Sequence, residues 1–415
     1  MDGKQKKRWR DYSKKEKGTI FVVMWLDFLK RGRKEEEEEE EKKEKRFILS
    51  IDGGGMRGIV PAYILKKMDE ELKARGITRP LYSYFDLIAG TSTGALIAMA
   101  LSAPIDRLGL EKEEGEDWKV TRENIVGRWR RRVEIEEVGA IERLADPTEI
   151  LDLYRVNGNK IFIPDDTKGI WKLVGKVTRM LGDKYDVAPL EEFLDSVFSD
   201  TPLSEAKVPT MAVSTNAKGC TPFIFRSWDS HGFLYREAAR ATSAAPTYFA
   251  PAQFIDRETD EELTLLDGGL LANNPVLLSY VEGRKLYPEA DEMRILSLST
   301  ASPECILHPE EYSTNLDWLS SLTSAYSSGN MKVSEMAAES IKGVKVDRIW
   351  ENVLEKKIKL DDTSEEAVSE LMEAAEKIWE KDKDKIFSFL DEVTKEEVHS
   401  SLKLKAPLML PSGEN

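Results

Sequence analysis

The stretch Phe85 to Leu101, FDLIAGTSTGALIAMAL, limits the possible folds of this chain more than any other. Phe85, Leu87, Ile88 and Ala89 form a short apolar run, as expected of a strand buried on both faces. Gly90-Thr91-Ser92-Thr93-Gly94 follows, a G-x-S-x-G string. Ala95 to Leu101 then continue without a breaker, which suits a buried helix. Strand, tight turn and helix place Ser92 at the apex and at a helix N-terminus, where free N–H groups and the helix dipole favour a developing anion. Gly90 and Gly94 let the backbones approach where side chains would clash. The string alone also fits an ordinary Gly/Ser turn, so Ser92 is at this point a candidate nucleophile.

A second strand–glycine–helix unit lies about forty residues upstream. Arg46 to Asp52 reads as a strand, Gly53-Gly54-Gly55-Met56-Arg57-Gly58 as a loop, and Ile59 to Leu72 as a helix with Ile59, Tyr63, Ile64, Met68 and Leu72 at helical spacing. Such a loop presents backbone N–H groups to an anion. A Walker phosphate loop would need G-K-[ST] at its end, which is absent. The dinucleotide string G-x-G-x-x-G is matched, yet Glu70 and Glu71, about twenty residues on, fall inside the helix. The third reading is an oxyanion hole serving Ser92, and it alone makes sense of the downstream turn. Arg57 would add a fixed positive charge beside a phosphate headgroup, or is a structural arginine.

A serine hydroxyl needs a group to take its proton. The three histidines, His231, His308 and His399, lie in a polar turn, a proline-containing loop and a charged terminal segment. A better candidate is Asp267 in Thr264-Leu265-Leu266-Asp267-Gly268-Gly269, a strand that ends in Asp-Gly-Gly. It puts a carboxylate at the C-terminal edge of a strand, where α/β sites form. Gly268 and Gly269 permit close backbone approach, and Asn273 and Asn274 can hold the aspartate in place. The plain alternative is a turn aspartate.

The strings IDGGGMRG, FDLIAGTSTG, AARATSAAPTYFAP (Ala238 to Pro251) and LLDGGLLANNP together resemble the patatin-like phospholipases, in order, from about Phe47 to Thr300. A looser likeness continues through Lys359-Leu360-Asp361-Asp362. The resemblance implies a three-layer α/β fold with a mostly parallel central sheet flanked by helices and a helical C-terminal part. It implies a lipid acyl hydrolase of the phospholipase A or lysophospholipase type, acting on glycerolipid or phospholipid esters through a Ser–Asp dyad. Carried over, Ser92 is the nucleophile, Asp267 its base, and Gly53, Gly54, Gly55, Arg57 and Gly58 the oxyanion loop. Gly90 and Gly94 then form the elbow, and Gly268, Gly269 and Asn274 support the dyad. No metal or other cofactor is implied. A Ser-His-Asp carboxylesterase, and a non-catalytic lipid- or partner-binding protein on the same fold, are the competing readings. Two departures are Ala95, where many relatives have glycine, and a long charged segment from Pro104 to Asp146.

The organisation expected is a basic arm with an acidic linker over 1–45, a catalytic core over 46–301 and a helical part over 302–415. Residues 1–34 carry twelve Lys/Arg against four acids, on a chain whose formal net charge is −15. The acidic balance argues against nucleic acid as a general partner. The arm's apolar run Thr19 to Leu26 is cut by Asp27 and Lys30, so it reads as a membrane-surface segment, a docked element or a tail, and as no signal peptide. Glu35 to Glu41 are seven consecutive glutamates, a solvated linker. Cys220 and Cys305 make no disulfide framework, which favours a reducing, cytoplasmic setting; the membrane-surface reading of the arm would make the protein peripheral at membranes. Trp129-Arg130-Arg131-Arg132 reads as a solvated helix face or a headgroup contact, and Ile170 to Leu181 as core, a flap over the acyl site or a membrane-contacting helix. Pro209 to Val213, Pro222 to Phe225 and Arg294 to Leu298 read as strands. Ser364 to Phe389 reads as an amphipathic helix with a capping box at Thr363 and Glu366.

Overall fold

The computed structural model describes residues 44–77, 79–104, 146–162, 184–229, 232–301, 305–307, 310, 315–354 and 358–400, without the side chains of 160, 315–324 and 396–400. The basic arm and glutamate run, residues 105–145, Ile170 to Leu181, His231, His308 and the His399 side chain lie outside the described residues. The chain divides into a large unit, Arg46–Pro288 with Met293–Asn415, and a small one, Met1–Lys45 with Glu289–Glu292. In the small unit the Glu44 N–H donates to Asp291 Oδ2 at 2.9 Å. The site lies wholly in the large unit.

An eight-stranded sheet organises the fold, in the order β5-β6-β3-β2-β1-β7-β8, with β4 beside β3. The strands are β1 (Lys45–Ile51), β2 (Leu87–Thr91), β3 (Thr210–Asn216), β4 (Thr221–Arg226), β5 (Ala252–Ile255), β6 (Glu262–Asp267), β7 (Glu292–Leu298) and β8 (Val344–Ile349). β1, β2 and β3 run parallel, as do β7 and β8, whereas β4, β5 and β6 join as antiparallel pairs. The parallel strands are apolar on both faces because helices cover both. Ile48, Leu49, Ile51, Leu87, Ile88 and Ala89 are all fully buried.

The helices are α1 (Ile59–Ala74), α2 (Thr93–Ser102), α3 (Pro147–Ile161), α4 (Ala188–Phe198), α5 (Tyr235–Thr242), α6 (Gly269–Ala272), α7 (Val276–Leu286), α8 (Asn315–Glu339) and α9 (Glu365–Ser400). α2 carries no charge because it lies between two apolar clusters. Ile97, Ala98 and Leu101 pack into one, with α1 and α9. Ala95, Met99 and Ala103 pack into the other, with α4 and α5. Burying each large aliphatic side chain contributes about 1.5–3 kcal/mol, so this uncharged helix is fixed firmly where the sheet ends.

Two C-terminal features differ from the sequence reading. A strand, β8, interrupts the helical region and extends the sheet beyond β7. Its Val-Lys-Val-Asp-Arg-Ile alternation is only half apolar, the weak pattern of an edge strand. Arg348 on it donates to both carboxylate oxygens of Asp52, at 2.9 and 2.5 Å, and to Ser297 Oγ at 2.8 Å. The Asp52 carboxylate holds the Arg348 guanidinium firmly protonated. This bidentate pair anchors the end of β1, one residue before the glycine loop. The other difference is the cap of α9. Ser364, not Thr363, is the capping residue: its Oγ accepts the Ala367 N–H at 3.2 Å, and Asp362 accepts the Ser364 N–H. The box at Thr363 and Glu366 gives way to a cap one residue later.

Candidate active site

β2 ends at Thr91 and α2 begins at Thr93, so Ser92 is the whole turn between them. Its backbone is left-handed, with φ 52° and ψ −125°, a strained conformation for a residue with a Cβ. Two glycines make the turn possible. A Cβ on Gly90 would lie 2.3 Å from the Gly94 carbonyl, and one on Gly94 would lie 2.3 Å from the Ile51 carbonyl oxygen. Side chains at either position would force β1, β2 and α2 apart. The Ser92 N–H donates to Thr242 Oγ1 at 2.9 Å, and the Thr242 hydroxyl donates to the Val213 carbonyl at 2.5 Å. α5 thereby ties the strained turn to β3.

Asp267 reaches the same place from the opposite direction. β2 and β6 share one edge of β3, because β4 occupies the other along Met211 to Asn216. Thr91 pairs with Val213, and Asp267 pairs with Ser214, the next residue along. β2 runs parallel to β3 and β6 antiparallel, so their C-terminal ends point at each other. Ser92 and Asp267 meet in the gap between them. The Asp267 N–H donates to Ala244 O at 2.9 Å, Thr215 Oγ1 donates to the Asp267 carbonyl at 3.0 Å, and the Gly269 N–H donates to its Oδ1 at 2.7 Å. Asp267 is only 6% exposed. Burial pushes its carboxyl up to about 6, against the opposing hydrogen bonds from Gly269 and the Ser92 side chain.

The glycine loop faces this pair. The Gly53 N–H is already taken by the Asn273 carbonyl at 3.0 Å, and the Gly53 carbonyl accepts from Thr300 Oγ1 and Asn273 Nδ2. Gly55 has φ 57°, and a Cβ there would lie 2.2 Å from the Leu360 carbonyl oxygen, which instead accepts the Met56 N–H at 2.8 Å. The N–H groups of Gly54 and Gly55 have no hydrogen-bond partner among the described residues, and both residues line the cavity that holds Ser92 and Asp267. Gly54 and Gly55 are thus the available donors; Gly53 holds the loop in place. The Arg57 N–H and Nε both donate to the Gly54 carbonyl. Burial lowers the Arg57 guanidinium to about 10, so it stays charged at neutral pH beside the cavity. Gly58 backs onto Thr93, Gly268 onto the Val213 carbonyl, and Asn274 Oδ1 accepts the Val276 N–H at 3.0 Å.

The cavity, about 320 Å³, runs from this polar head between α2, α3 and α4. Its body is apolar: Leu96, Ala100, Leu153, Ile161, Phe193 and Val197 line it. A hydroxyl, a buried carboxylate and two free N–H donors therefore sit at the head of an apolar channel. That arrangement can attack a carbonyl, hold its oxyanion and shelter an alkyl chain.

Residues 49–279 match the family model of patatin-like phospholipases. The chain belongs to the patatin-like phospholipase family. The matched patatin-like region runs from β1 into α7 and contains the glycine loop, Ser92 and Asp267. Patatin-like protein 2 of Arabidopsis thaliana is 35% identical over 245 residues, 57% of this chain and 52% of the relative. Patatin-17 of Solanum cardiophyllum is 29% identical over 244 residues, 56% and 50% of the two chains. Patatin-like protein 1 of Arabidopsis thaliana is 28% identical over 322 residues, 71% and 67%. The chain thus spans about half the length of most of these patatin-like relatives.

Several residues of the patatin-like site carry no motif of their own. Thr242, Thr300, Leu360 and Arg348 act through backbone contacts or from distant segments. Thr242 is an unremarkable threonine within the string Ala238 to Pro251. Leu360 belongs to the Lys359–Asp362 stretch, where Asp361 also accepts the Tyr185 hydroxyl at 2.6 Å and pairs with Lys184. Ala95 is fully buried and packs in the α4–α5 cluster, so the extra methyl is accommodated. Thr242→Val keeps the shape but removes both hydrogen bonds of that hydroxyl. It is expected to cost about 1–3 kcal/mol of stability in denaturant titration and to lower kcat more than it raises KM.

Proposed function

We propose that the protein hydrolyses acyl esters of glycerolipids, of the phospholipase A or lysophospholipase type, with Ser92 as nucleophile and Asp267 as its base. The carrying observation is the end-to-end meeting of β2 and β6 on adjacent residues of β3, at the head of an apolar cavity. Ser92 Oγ attacks the ester carbonyl as its proton passes to Asp267. The oxyanion is held by the Gly54 and Gly55 N–H groups of the glycine loop. Collapse breaks the ester C–O bond, and the departing alcohol takes the proton from Asp267. Water then attacks the acyl-Ser92 ester, gives its proton to Asp267, and releases the fatty acid as Ser92 is re-protonated. A carboxylate of ordinary acidity is a poor base at neutral pH; one raised to about 6 is better matched. The charged Arg57 beside the cavity supports a substrate with a phosphate near its ester, and the channel between α2, α3 and α4 suits the acyl chain.

A fluorophosphonate probe, followed by peptide mass spectrometry, is expected to label Ser92 alone. A lipid panel read by mass spectrometry is expected to yield free fatty acid. Folded protein that leaves Ser92 unlabelled and releases no fatty acid from any lipid would overturn the reading in favour of a binding role.

A further inference from the structure

From Tyr326 to Met336 the outer face of α8 is apolar where a soluble helix is ordinarily polar. Tyr326, Val333 and Met336 are 55%, 65% and 58% exposed. Gly329 lies between them, and a Cβ there would meet nothing within 4 Å. Positions 326, 329, 333 and 336 follow the i, i+3, i+7, i+10 spacing of one helix face. The stretch from Tyr326 to Met331 is uncharged. Lys332 at the flank is paired with Glu335 at 3.3 Å. The inner face of the same helix is committed to the site: Met331 Sδ accepts from Asn273 Nδ2 at 3.0 Å, and Ala338 is fully buried.

Tyr326 joins the two faces. It lines the catalytic cavity and is exposed, as is Leu270 at 38%, so these residues mark where the cavity meets solvent. The exposed stripe is therefore continuous with the mouth of the cavity. Its chemistry excludes an electrostatic partner, because it holds no unpaired charge among the described residues and the chain as a whole is acidic. No helix among the described residues is long and apolar enough to cross a membrane, so contact with lipid here would be at the surface.

We propose that the Tyr326–Met336 face of α8 docks on a lipid surface and opens the cavity directly onto the acyl-chain boundary. This rests on the reading of the site as a lipid acyl hydrolase. Val333 and Met336 enter the interface below the headgroups, as the apolar face of an interfacial helix does. Tyr326 and Leu270 stand at the rim, so an acyl chain passes from the lipid layer into the cavity without crossing water. Docking of this kind is driven by apolar burial and is insensitive to salt, unlike attraction of a basic segment to anionic lipid.

The test uses the full chain and a V333E/M336E variant. Binding of each to phosphatidylcholine vesicles is measured by co-sedimentation, and hydrolysis of a short-chain, monomeric p-nitrophenyl ester is followed in parallel. Wild-type binding is expected to persist at about 1 M salt, and the variant to bind at least about tenfold more weakly. Hydrolysis of the monomeric ester is expected to be unchanged, since neither residue lines the cavity. Equal vesicle binding by the two proteins would overturn the proposal. A wild-type dimer that the variant converts to monomer, with no change in vesicle binding, would assign the face to a second copy instead. Failure of both proteins to cleave the monomeric ester would count against the hydrolase reading, while the vesicle comparison would still decide the docking.

Discussion

Replacing Ser92 with alanine, or Asp267 with asparagine, is expected to lower ester hydrolysis by about 10³-fold or more. On the proposed mechanism each change removes one half of a unit in which neither group works alone, and Ser92→Ala deletes the attacking oxygen. Asp267→Asn keeps the shape and can still accept the Gly269 N–H, but cannot take a proton. The asparagine variant separates chemistry from folding. The Asp267 carboxyl is raised by burial from 3.8 to about 6, so its charged form is disfavoured in the folded state. Its stabilising contribution is complete below its unfolded value near 4 and is lost as pH rises through about 6. At pH 8 the buried charge costs about 2–3 kcal/mol, and Asp267→Asn should recover much of that. Denaturant titrations at pH 8 and pH 4 test this: the variant should be the more stable at pH 8, with the advantage gone at pH 4. In the wild type, kcat/KM should fall on the acid side with an apparent pKa near 6. An active Asp267→Asn protein would remove the dyad from consideration. Joint replacement of His231, His308 and His399 should leave the rate unchanged; inactivity there would favour a histidine triad.

Gly94→Ala is expected to damage both fold and activity severely. The new Cβ would lie 2.3 Å from the Ile51 carbonyl oxygen and 2.6 Å from that of Asp52. Both are backbone atoms at the end of a central strand, and neither can rotate away. Relief requires α2 to move off β1. That breaks the packing of two apolar clusters and shifts the glycine loop against Ser92. The expected cost is about 3 kcal/mol or more, at the upper end for overpacking, with hydrolysis lost. Gly329→Ala is the matched control. It meets no atom within 4 Å and lies inside α8, so it should be neutral or stabilise by up to about 1 kcal/mol. Thermal melts of the two proteins against the wild type would separate a specific close approach from a general intolerance of added methyls.

Both strand–glycine–helix units were legible in the sequence because their signal is local. An apolar run, a glycine turn and a breaker-free helix need only neighbours in the chain to be recognised. Asp267 was legible as a strand-end aspartate for the same reason. The antiparallel arrangement of β6 was not, since strand direction depends on pairing with β3 and on the connections that lead to it. β8 escaped because an edge strand has one partner and a weak alternation. The roles of Thr242, Thr300 and Leu360 escaped because they act on backbone groups, a chemistry open to many residue types.

The sequence by itself therefore determined the parts: a strained serine turn, a glycine loop between strand and helix, a strand-end carboxylate and the helices that bury them. The tertiary structure alone decided how they meet. β3 offers a single edge to two strands running in opposite directions, and the register sets Thr91 and Asp267 against consecutive residues, Val213 and Ser214. It also decided how the loop N–H groups are allocated, spending that of Gly53 on Asn273 and leaving those of Gly54 and Gly55, which line the cavity, without a partner among the described residues. Local chemistry is written in neighbouring residues. Register and the allocation of hydrogen bonds are properties of pairs that lie more than a hundred residues apart, such as Ser92 and Thr242.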